Sequence, residues 1–266
     1  MSYKKIKLFC VTDKPLTSLE NSHLILAGVG KYNFTSQYID TSTKINIFDK
    51  EEYYSELTFH YWYWKNLLNM ENHQWVGFCQ KRRFWINKNS INKKLNNNNI
   101  KEHLLNDIEK SWEDSNAILC ESINISGAKK IKLIKRGWRN ILNEPSLLFK
   151  KKESIKVHFD MHHGYGNLDK AIMVLDNKDK KDFSDYVNKY SSYHPHIMFI
   201  AKPELIDKWF SALFPWLERC EEIFGFKELV GYDTKRLYAF LAERYMSFWF
   251  RKYSKFKEHP WILINN

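Results

Sequence analysis

The sequence predicts an α/β protein in which a central sheet is covered on both faces. Short apolar runs of β-branched and aromatic residues alternate with longer segments whose apolar residues recur at helical spacing. The last two long segments are helical, and a polar insertion interrupts the first half of the chain. Because 266 residues with 44% hydrophobic composition easily form one large core, we expect residues 1–266 to be a single domain.

Four segments predict strands, because each is short, apolar and bounded by polar or turn-forming residues. They are residues 5–12, 75–80, 117–120 and 194–202. The first ends at Asp13-Lys-Pro15, a sequence typical of a turn, and a loop region with Gly28, Gly30 and Asp40 follows it.

Four further segments predict helices. They are residues 52–69, 108–114, 203–224 and 234–252. In the first, Leu57 and Tyr61 are four residues apart and share one face. The third opens with Pro203 and stops at Gly225, and Asp233 is the expected N-cap of the last.

Two stretches stand apart from this pattern. The Asn- and Lys-rich residues 87–100 predict a flexible surface insertion, and residues 121–156 are basic and irregular. Within the latter, residues 129–139 carry six cations and no acid, with apolar residues and Trp138 between the charges. Such a segment suits docking on an anionic bilayer surface. It is equally typical of a solvated edge strand or loop whose lysines prevent aggregation.

The formal net charge of +11 limits the class of partner. Nucleic acid, an anionic membrane surface and a phosphate-rich substrate all fit a basic protein, but no nucleic-acid-binding motif accompanies the charge. The four cysteines lack metal-ligand spacing, so we expect reduced core thiols of a cytoplasmic protein. Neither a signal-peptide core nor an apolar run long enough to span a membrane is present in the sequence.

Three places in the sequence could carry chemistry. Arg82 and Arg83 follow a predicted strand, where two guanidinium groups can hold a phosphate or carboxylate, or can cap local carbonyls and acids. Residues 160–169 combine histidines, glycines and acids, which suits proton transfer or an ordinary loop. Arg236 and Glu243 are seven residues apart on one helical face, which lines a polar cleft or faces solvent.

Several dispersed motifs occur in a characteristic order. They are Tyr54-Ser-Glu-Leu-Thr58, Tyr61-Trp-Tyr-Trp-Lys-Asn66, Gly77-Phe-Cys-Gln-Lys-Arg-Arg-Phe84, residues 163–169, Met198-Phe-Ile-Ala-Lys202 and residues 236–243. With this order the chain resembles, from about residue 5 to residue 249, a bacterial family of capsule, exopolysaccharide and O-antigen loci. That family was long a domain of unknown function and was later assigned as galactofuranosyltransferases.

The resemblance implies one glycosyltransferase domain with a GT-A-like mixed sheet flanked by helices, transferring a sugar from a UDP-sugar donor to a capsular or lipopolysaccharide glycan. It implies donor binding by Thr12, Lys65, Arg82, Arg83 and Arg236. The base that deprotonates the acceptor is then Asp169 or Glu243, with His163 as a helper. No Asp-x-Asp element is present, so we expect inverting transfer without a metal or other cofactor.

The chain departs from the family pattern at several of these motifs. Asp13 and Gln80 each stand where the family has histidine, Gly166-Asn167 replaces a Glu-Asp pair, and Ile197 replaces an asparagine. The donor sugar therefore stays open between galactofuranose and a related, N-acetylated sugar.

Two alternatives belong to other classes of protein. One is a noncatalytic glycan- or lipid-binding subunit of a polysaccharide assembly complex, and the other is a basic nucleic-acid-binding protein. For the enzyme we expect a lipid-linked or oligosaccharide acceptor and peripheral attachment to the inner face of the cytoplasmic membrane.

Overall fold

The computed structural model describes residues 6–71, 74–125, 130–148 and 152–264. Two predicted positions, Lys5 of the first strand and Lys129 of the basic segment, lie outside the described residues, as do residues 126–128 and 149–151 of the basic stretch.

A mixed sheet forms the centre of the molecule, with nine strands among the described residues. The strands of this sheet are β1 (Lys7–Thr12), β2 (Ile25–Gly28), β3 (Ile39–Asp40), β4 (Val76–Gln80), β5 (Arg83–Trp85), β6 (Ala117–Cys120), β9 (Phe199–Ala201), β10 (Phe256–His259) and β11 (Trp261–Leu263). The strands β7 (Ile123–Asn124) and β8 (Ser192–Tyr193) form a separate pair. The order along the sheet is β10-β6-β9-β4-β1-β2-β3, and the hairpin strand β5 joins β4 to β11.

The directions of the strands determine which strand ends lie next to one another at each edge of the sheet. β1 pairs in parallel with β2 and with β4, whereas β9 runs antiparallel to β4 and β6. The carboxyl ends of β1, β2 and β4 therefore lie at the same edge as the segment that enters β9. Residues at Thr12, Gly28, Gln80 and the turn before Phe199 are thus brought together.

The helices are α1 (Glu51–Tyr54), α2 (Leu57–Asn66), α3 (Lys130–Asn143), α4 (Ile155–His163), α5 (Asn167–Met173), α6 (Asn177–Lys189), α7 (Pro203–Phe224), α8 (Tyr232–Lys235) and α9 (Leu237–Tyr253). Short 3-10 helices include Lys88–Ser90, Ile100–His103 and Lys110–Trp112. None of the helices in the described ranges combines the length and apolarity needed to cross a membrane.

The sheet is buried on both faces, as predicted, but different kinds of structure pack against the two faces. Successive residues of β1 point to opposite sides, so that Phe9 joins one apolar cluster while Leu8 and Cys10 join the other. The α-helices supply the first cluster, in which Trp209 and Phe250 are fully buried. Loops and 3-10 helices supply the second cluster.

The strands predicted over residues 5–12, 75–80 and 117–120 and the helix from Pro203 to Phe224 are confirmed for the described residues. Of the strand predicted over residues 194–202, only Phe199–Ala201 forms, because His196 and Ile197 have positive φ and make a turn. The helix predicted over residues 52–69 is interrupted, because Ser55 has φ 53° and separates α1 from α2. Residues 108–114 form only a 3-10 turn. In the polar insertion 87–100, a 3-10 turn at Lys88–Ser90 and asparagine-supported turns are present, and its flexibility stays a prediction.

Two other expectations were wrong. The stretch 121–156, predicted to be irregular, contains α3, so its described cations Lys135, Arg136 and Arg139 lie on a helix rather than on an edge strand or loop. Asp233 is not the N-cap of the last helix. It lies inside α8, and α9 begins after Arg236, whose side chain makes no capping hydrogen bond.

A buried carboxylate connects α6 to α9. Asp179 is fully buried and accepts hydrogen bonds from the hydroxyls of Tyr245 (2.8 Å) and Tyr253 (2.6 Å) and from Lys252 Nζ (2.9 Å). Lys252 also pairs with Asp182, whose side chain is 55% exposed. The two aspartates thus share one lysine but differ in burial.

Replacing Asp179 by alanine should lower the free energy of unfolding by about 3 kcal/mol, because two tyrosine hydroxyls and a lysine lose their acceptor. The matched control, Asp182→Ala, should cost at most about 1 kcal/mol because the lost pair is exposed. Urea unfolding of both variants measures the difference. Equal losses would contradict the structural role of Asp179.

Candidate functional site

The carboxyl ends of the parallel strands border a pocket. Thr12 at the end of β1 and Gln80 at the end of β4 form its floor, and Glu51, Arg83 and Arg236 line its walls. We call these five residues the arginine pocket. In open α/β sheets this edge is where ligands commonly bind.

The arginine pocket continues into open space beside β2 and β3. A cleft of about 590 Å³ shares Glu51 with the pocket. The cleft also shares Gly30, Tyr32 and Phe48 with a larger cavity of about 750 Å³, lined by Phe48 and by residues between Gly28 and Ser42. We call this cavity the strand-end groove. Because the arginine pocket itself measures only about 50 Å³, an extended ligand could lie mainly in the cleft and the groove and reach the arginines at one end.

The strand-end groove has an aromatic wall. Tyr32 is 52% exposed, and its ring centroid lies 5.3 Å from that of Phe34. Phe34 packs directly on Gly28, where a Cβ atom would approach the Phe34 ring to 2.3 Å. Glycine is therefore required at this position for the ring to lie against the end of β2.

The turn between β4 and β5 separates the two predicted arginines. Arg82 has φ 70°, is exposed, and its Nε donates to the carbonyl of Ile264 (3.3 Å). Arg83 begins β5 and faces the arginine pocket, where its Nη1 donates to Gln80 Oε1 (3.2 Å). The Arg83 Nε is buried and has no hydrogen-bond partner in the described structure. Arg83 thus lines the pocket and has a donor that no protein group in the described structure uses.

Behind the arginine pocket, polar contacts hold one backbone segment on two sides. Gln80 Nε2 donates both to Glu56 and to the carbonyl of His196. From the other side, Glu243 accepts the His196 N–H through Oε1 (2.6 Å) and a hydrogen bond from Arg244 through Oε2. Gln80 and Glu243 therefore fix the turn that leads into β9.

Strained backbone is concentrated around this edge of the sheet. Ser55, Arg82, His196 and Ile197 all have positive φ, between 51° and 73°. For a β-branched residue such as Ile197 this conformation is rare. Strain of this kind persists where the surrounding structure imposes it, and it is commonly found at functional sites.

Two carboxyl groups at the pocket have pKa values above the ordinary glutamate value. Burial raises the pKa of Glu56, and the nearby Glu243 adds to the effect while Arg236 opposes it. Burial likewise raises the pKa of Glu51, against the opposing charge of Arg236. A carboxylate with a raised pKa is a stronger base than an ordinary glutamate, which suits proton transfer.

His163, the last residue of α4, lies behind the pocket rather than in it. It is buried, its Nδ1 lies 2.8 Å from the Asp233 carbonyl, and its ring stacks on Phe240 at 3.8 Å. Burial and the charge of Arg244 lower its pKa to about 2, so the ring is neutral at physiological pH. Its position suits a structural contact to α8 and α9.

Two other predicted site residues lie away from the pocket. Asp169, in α5, is exposed on a surface formed with α4 and pairs with Lys156 (2.8 Å). Lys65 is exposed on α2, with its Nζ 3.3 Å from the centroid of the Trp64 ring. Of the predicted residues, the structure thus places Thr12, Arg83 and Arg236 in one pocket and Glu243 directly behind it.

Glu51 and Glu56 line the pocket but are not among the site residues predicted from the sequence. Glu56 lies in a motif that carries the family resemblance, and this signal could have identified it. Glu51 precedes that motif and carries no pattern of its own. Within the described ranges, no three His, Cys, Asp or Glu residues come together as a set of metal ligands, and metal independence stays a prediction.

Comparison with known proteins supports the fold and identifies the family. No curated protein matches the chain. A solved structure, the apo form of the bifunctional glycosyltransferase WbbM, aligns with a TM-score of 0.70 at 19% identity over 98% of this chain, which shows a shared fold. This chain spans only 45% of that protein. A family described as a domain of unknown function (DUF4422) matches residues 7–255, and the chain belongs to this family.

Proposed function

We propose that the protein is a glycosyltransferase that moves a sugar from a UDP-sugar donor to a hydroxyl group of a growing glycan. The observation that carries this proposal is the arginine pocket, in which Arg83 has a buried, unpaired Nε and faces the same space as Arg236. The fold shared with a solved glycosyltransferase structure agrees with it.

Sugar transfer from a nucleotide donor leaves negative charge on the departing diphosphate. Guanidinium groups bind phosphate oxygens through paired hydrogen bonds, and donors fixed before the reaction stabilise developing charge most effectively. Arg83 and Arg236 would bind the diphosphate, with Thr12 at the floor of the pocket. Cationic side chains would then serve where many glycosyltransferases use a metal ion.

The strand-end groove is the place for the nucleoside. Its size of about 750 Å³ accommodates a base and a ribose, and Tyr32 offers an exposed aromatic face on which a base can stack. The cleft at Gly30 connects this groove to the arginine pocket, so that a nucleoside diphosphate could bridge the two.

For the finer specificity we rely on the sequence resemblance. We propose a UDP-galactofuranose-type donor, or a related N-acetylated sugar, inverting transfer without a metal ion, and a lipid-linked or oligosaccharide acceptor of a capsular or lipopolysaccharide pathway. The assignment of Arg82 and Lys65 to donor binding stays a prediction, although both side chains lie outside the arginine pocket.

Replacing Arg83 by alanine should lower kcat/KM for UDP-sugar transfer by at least about 100-fold, because the leaving diphosphate loses a fixed donor. The matched control is Arg251→Ala, which removes the same charge from an exposed position of α9 outside the pocket and should change kcat/KM by at most about threefold. The assay is transfer from a panel of UDP-sugars to glycan acceptors, with and without EDTA, together with the thermal shift that UDP produces.

Equal losses in the two arginine variants would remove the arginine pocket from the mechanism. Failure of the wild-type protein to bind UDP or to transfer any UDP-sugar would reject the glycosyltransferase proposal. Loss of transfer in EDTA, with recovery on addition of Mn²⁺ or Mg²⁺, would contradict metal independence.

We also propose that α3 attaches the enzyme to a membrane surface. Lys135, Trp138, Arg139 and Leu142 are exposed, with Trp138 51% and Leu142 70% exposed. The last three follow helical spacing after a kink at Gly137, and Lys135 lies just before the kink. We call these four residues the α3 stripe. Tryptophan, leucine and cations on one helix face are the composition of interfacial helices, which bind anionic lipid.

The double variant Trp138→Ala/Leu142→Ala should bind vesicles containing phosphatidylglycerol at least about tenfold more weakly, since two large apolar side chains no longer enter the interface. Ile45→Ala, which removes an exposed apolar residue outside α3, should bind as the wild type does. Vesicle cosedimentation at several salt concentrations measures both effects. Unchanged binding by the double variant would leave α3 as an ordinary solvated surface.

A further inference from the structure

We infer that Glu51 is the general base of the proposed transferase, the group that takes the proton from the acceptor hydroxyl. This inference rests on the proposed function, because transfer to a hydroxyl requires a proton acceptor near the reacting atoms. Glu51 belongs to both the arginine pocket and the adjoining cleft, so its carboxylate faces the place where donor and acceptor would meet.

The two carboxylates expected from the sequence are committed elsewhere. Both oxygens of Glu243 are used, one by the His196 N–H at 2.6 Å and the other by Arg244. Asp169 pairs with Lys156 at 2.8 Å on a surface that does not line the pocket. A general base must have a free lone pair directed at its substrate, and neither group offers one in the pocket.

Three acids line the pocket, and two of them have partners within the protein. Asp13 is paired with Lys81, and Glu56 accepts the hydrogen bond from Gln80 that helps to hold Arg83. The carboxylate of Glu51 has neither a hydrogen bond nor an ion pair with any residue in the described ranges. It is the acid of the pocket whose oxygens are available to a ligand.

The local backbone keeps this carboxylate accessible. Gly30, with φ 76°, lies opposite Glu51, and a Cβ atom at Gly30 would come within 3.3 Å of Glu51 Oε2. The absence of a side chain at Gly30 leaves room beside the carboxylate in the cleft. A substrate hydroxyl could therefore approach from the strand-end side while the diphosphate lies on the arginine side.

The charges around Glu51 come from several elements. Burial raises the pKa of Glu51. The positive charges of Arg236, between α8 and α9, and of Lys81, after β4, oppose this shift. The negative charges of Asp13, after β1, and of Glu52, on the same helix as Glu51, add to it. The acid is thus a stronger base than an exposed glutamate. Since a base must be ionised to act, turnover should fall as the pH decreases through this raised pKa.

The proposed step is balanced without a further reactant. The acceptor oxygen forms a bond to the anomeric carbon of the donor sugar, and the bond from that carbon to the diphosphate oxygen breaks. The electron pair of the broken bond leaves with the diphosphate, which Arg83 and Arg236 face. The hydroxyl proton passes to the Glu51 carboxylate and is released to solvent when the products leave.

The test compares Glu51→Gln with Glu222→Gln. Glutamine keeps the shape and hydrogen-bonding reach of glutamate but cannot accept the proton, so kcat of Glu51→Gln should fall at least about 100-fold while the donor KM and UDP binding stay unchanged. Glu222 is exposed on α7 and lines neither the pocket, the cleft nor the groove, so its variant should keep kcat within about threefold. Thermal melting checks that both variants fold.

Two further readouts separate a base from a contact residue. The acidic limb of the kcat profile, present in the wild type, should be absent from the residual activity of Glu51→Gln. Added formate should partly restore turnover to Glu51→Ala, because a small carboxylate can occupy the vacated space.

A kcat of Glu51→Gln within about threefold of the wild type would overturn the inference. So would a raised KM with unchanged kcat, which indicates a binding contact, or a failure of formate to restore any turnover to Glu51→Ala. These results differ from failure of the proposed function, in which the wild-type protein itself transfers no UDP-sugar.

Discussion

The parallel pairing of β1 with β4 is the interaction on which the site depends. Its register aligns Val11 with Gln80, so the two strands end together, and the chain can present a backbone turn from each at one edge. Burial on both faces keeps this pair in place, since Phe9 stacks on Phe78 at 5.9 Å within the helix-side cluster. A shift of one residue would move every side chain of β1 to the opposite face and separate the polar groups of the pocket.

At this edge the charged groups fall into two classes. Some are committed to the protein itself, such as Arg244, which is buried with Glu243 and lies 4.1 Å from the centroid of the Tyr193 ring. Breaking such a buried pair is costly, so these groups act as fixed supports. Others line the pocket: the Glu51 carboxylate has no hydrogen bond or ion pair in the described structure, and the Arg83 guanidinium contacts Gln80 through Nη1. Groups of this second class can bind or react with a ligand.

Much of the fold could be predicted because its signals are local. The apolar runs of the central strands and the helix from Pro203 to Phe224 follow from residue type and spacing alone. The helix Asn177–Lys189 was not predicted, because its charged sequence leaves only a narrow apolar face. The separation of Arg82 from Arg83 depends on one left-handed backbone conformation in a hairpin, and Glu51 reaches the pocket because the fold places the start of α1 beside the end of β1. Neither relation is visible in sequence spacing.

Gln80, expected from the sequence resemblance to replace a histidine, connects Arg83 to the segment before β9. A side-chain amide has two donor hydrogens and an acceptor oxygen, and all are used here: Nε2 donates to Glu56 and to the His196 carbonyl, and Oε1 accepts from Arg83. A neutral histidine offers one donor and one acceptor, and a protonated one cannot accept from an arginine. Glutamine at this position therefore holds Arg83 toward the pocket without a group that titrates near neutral pH.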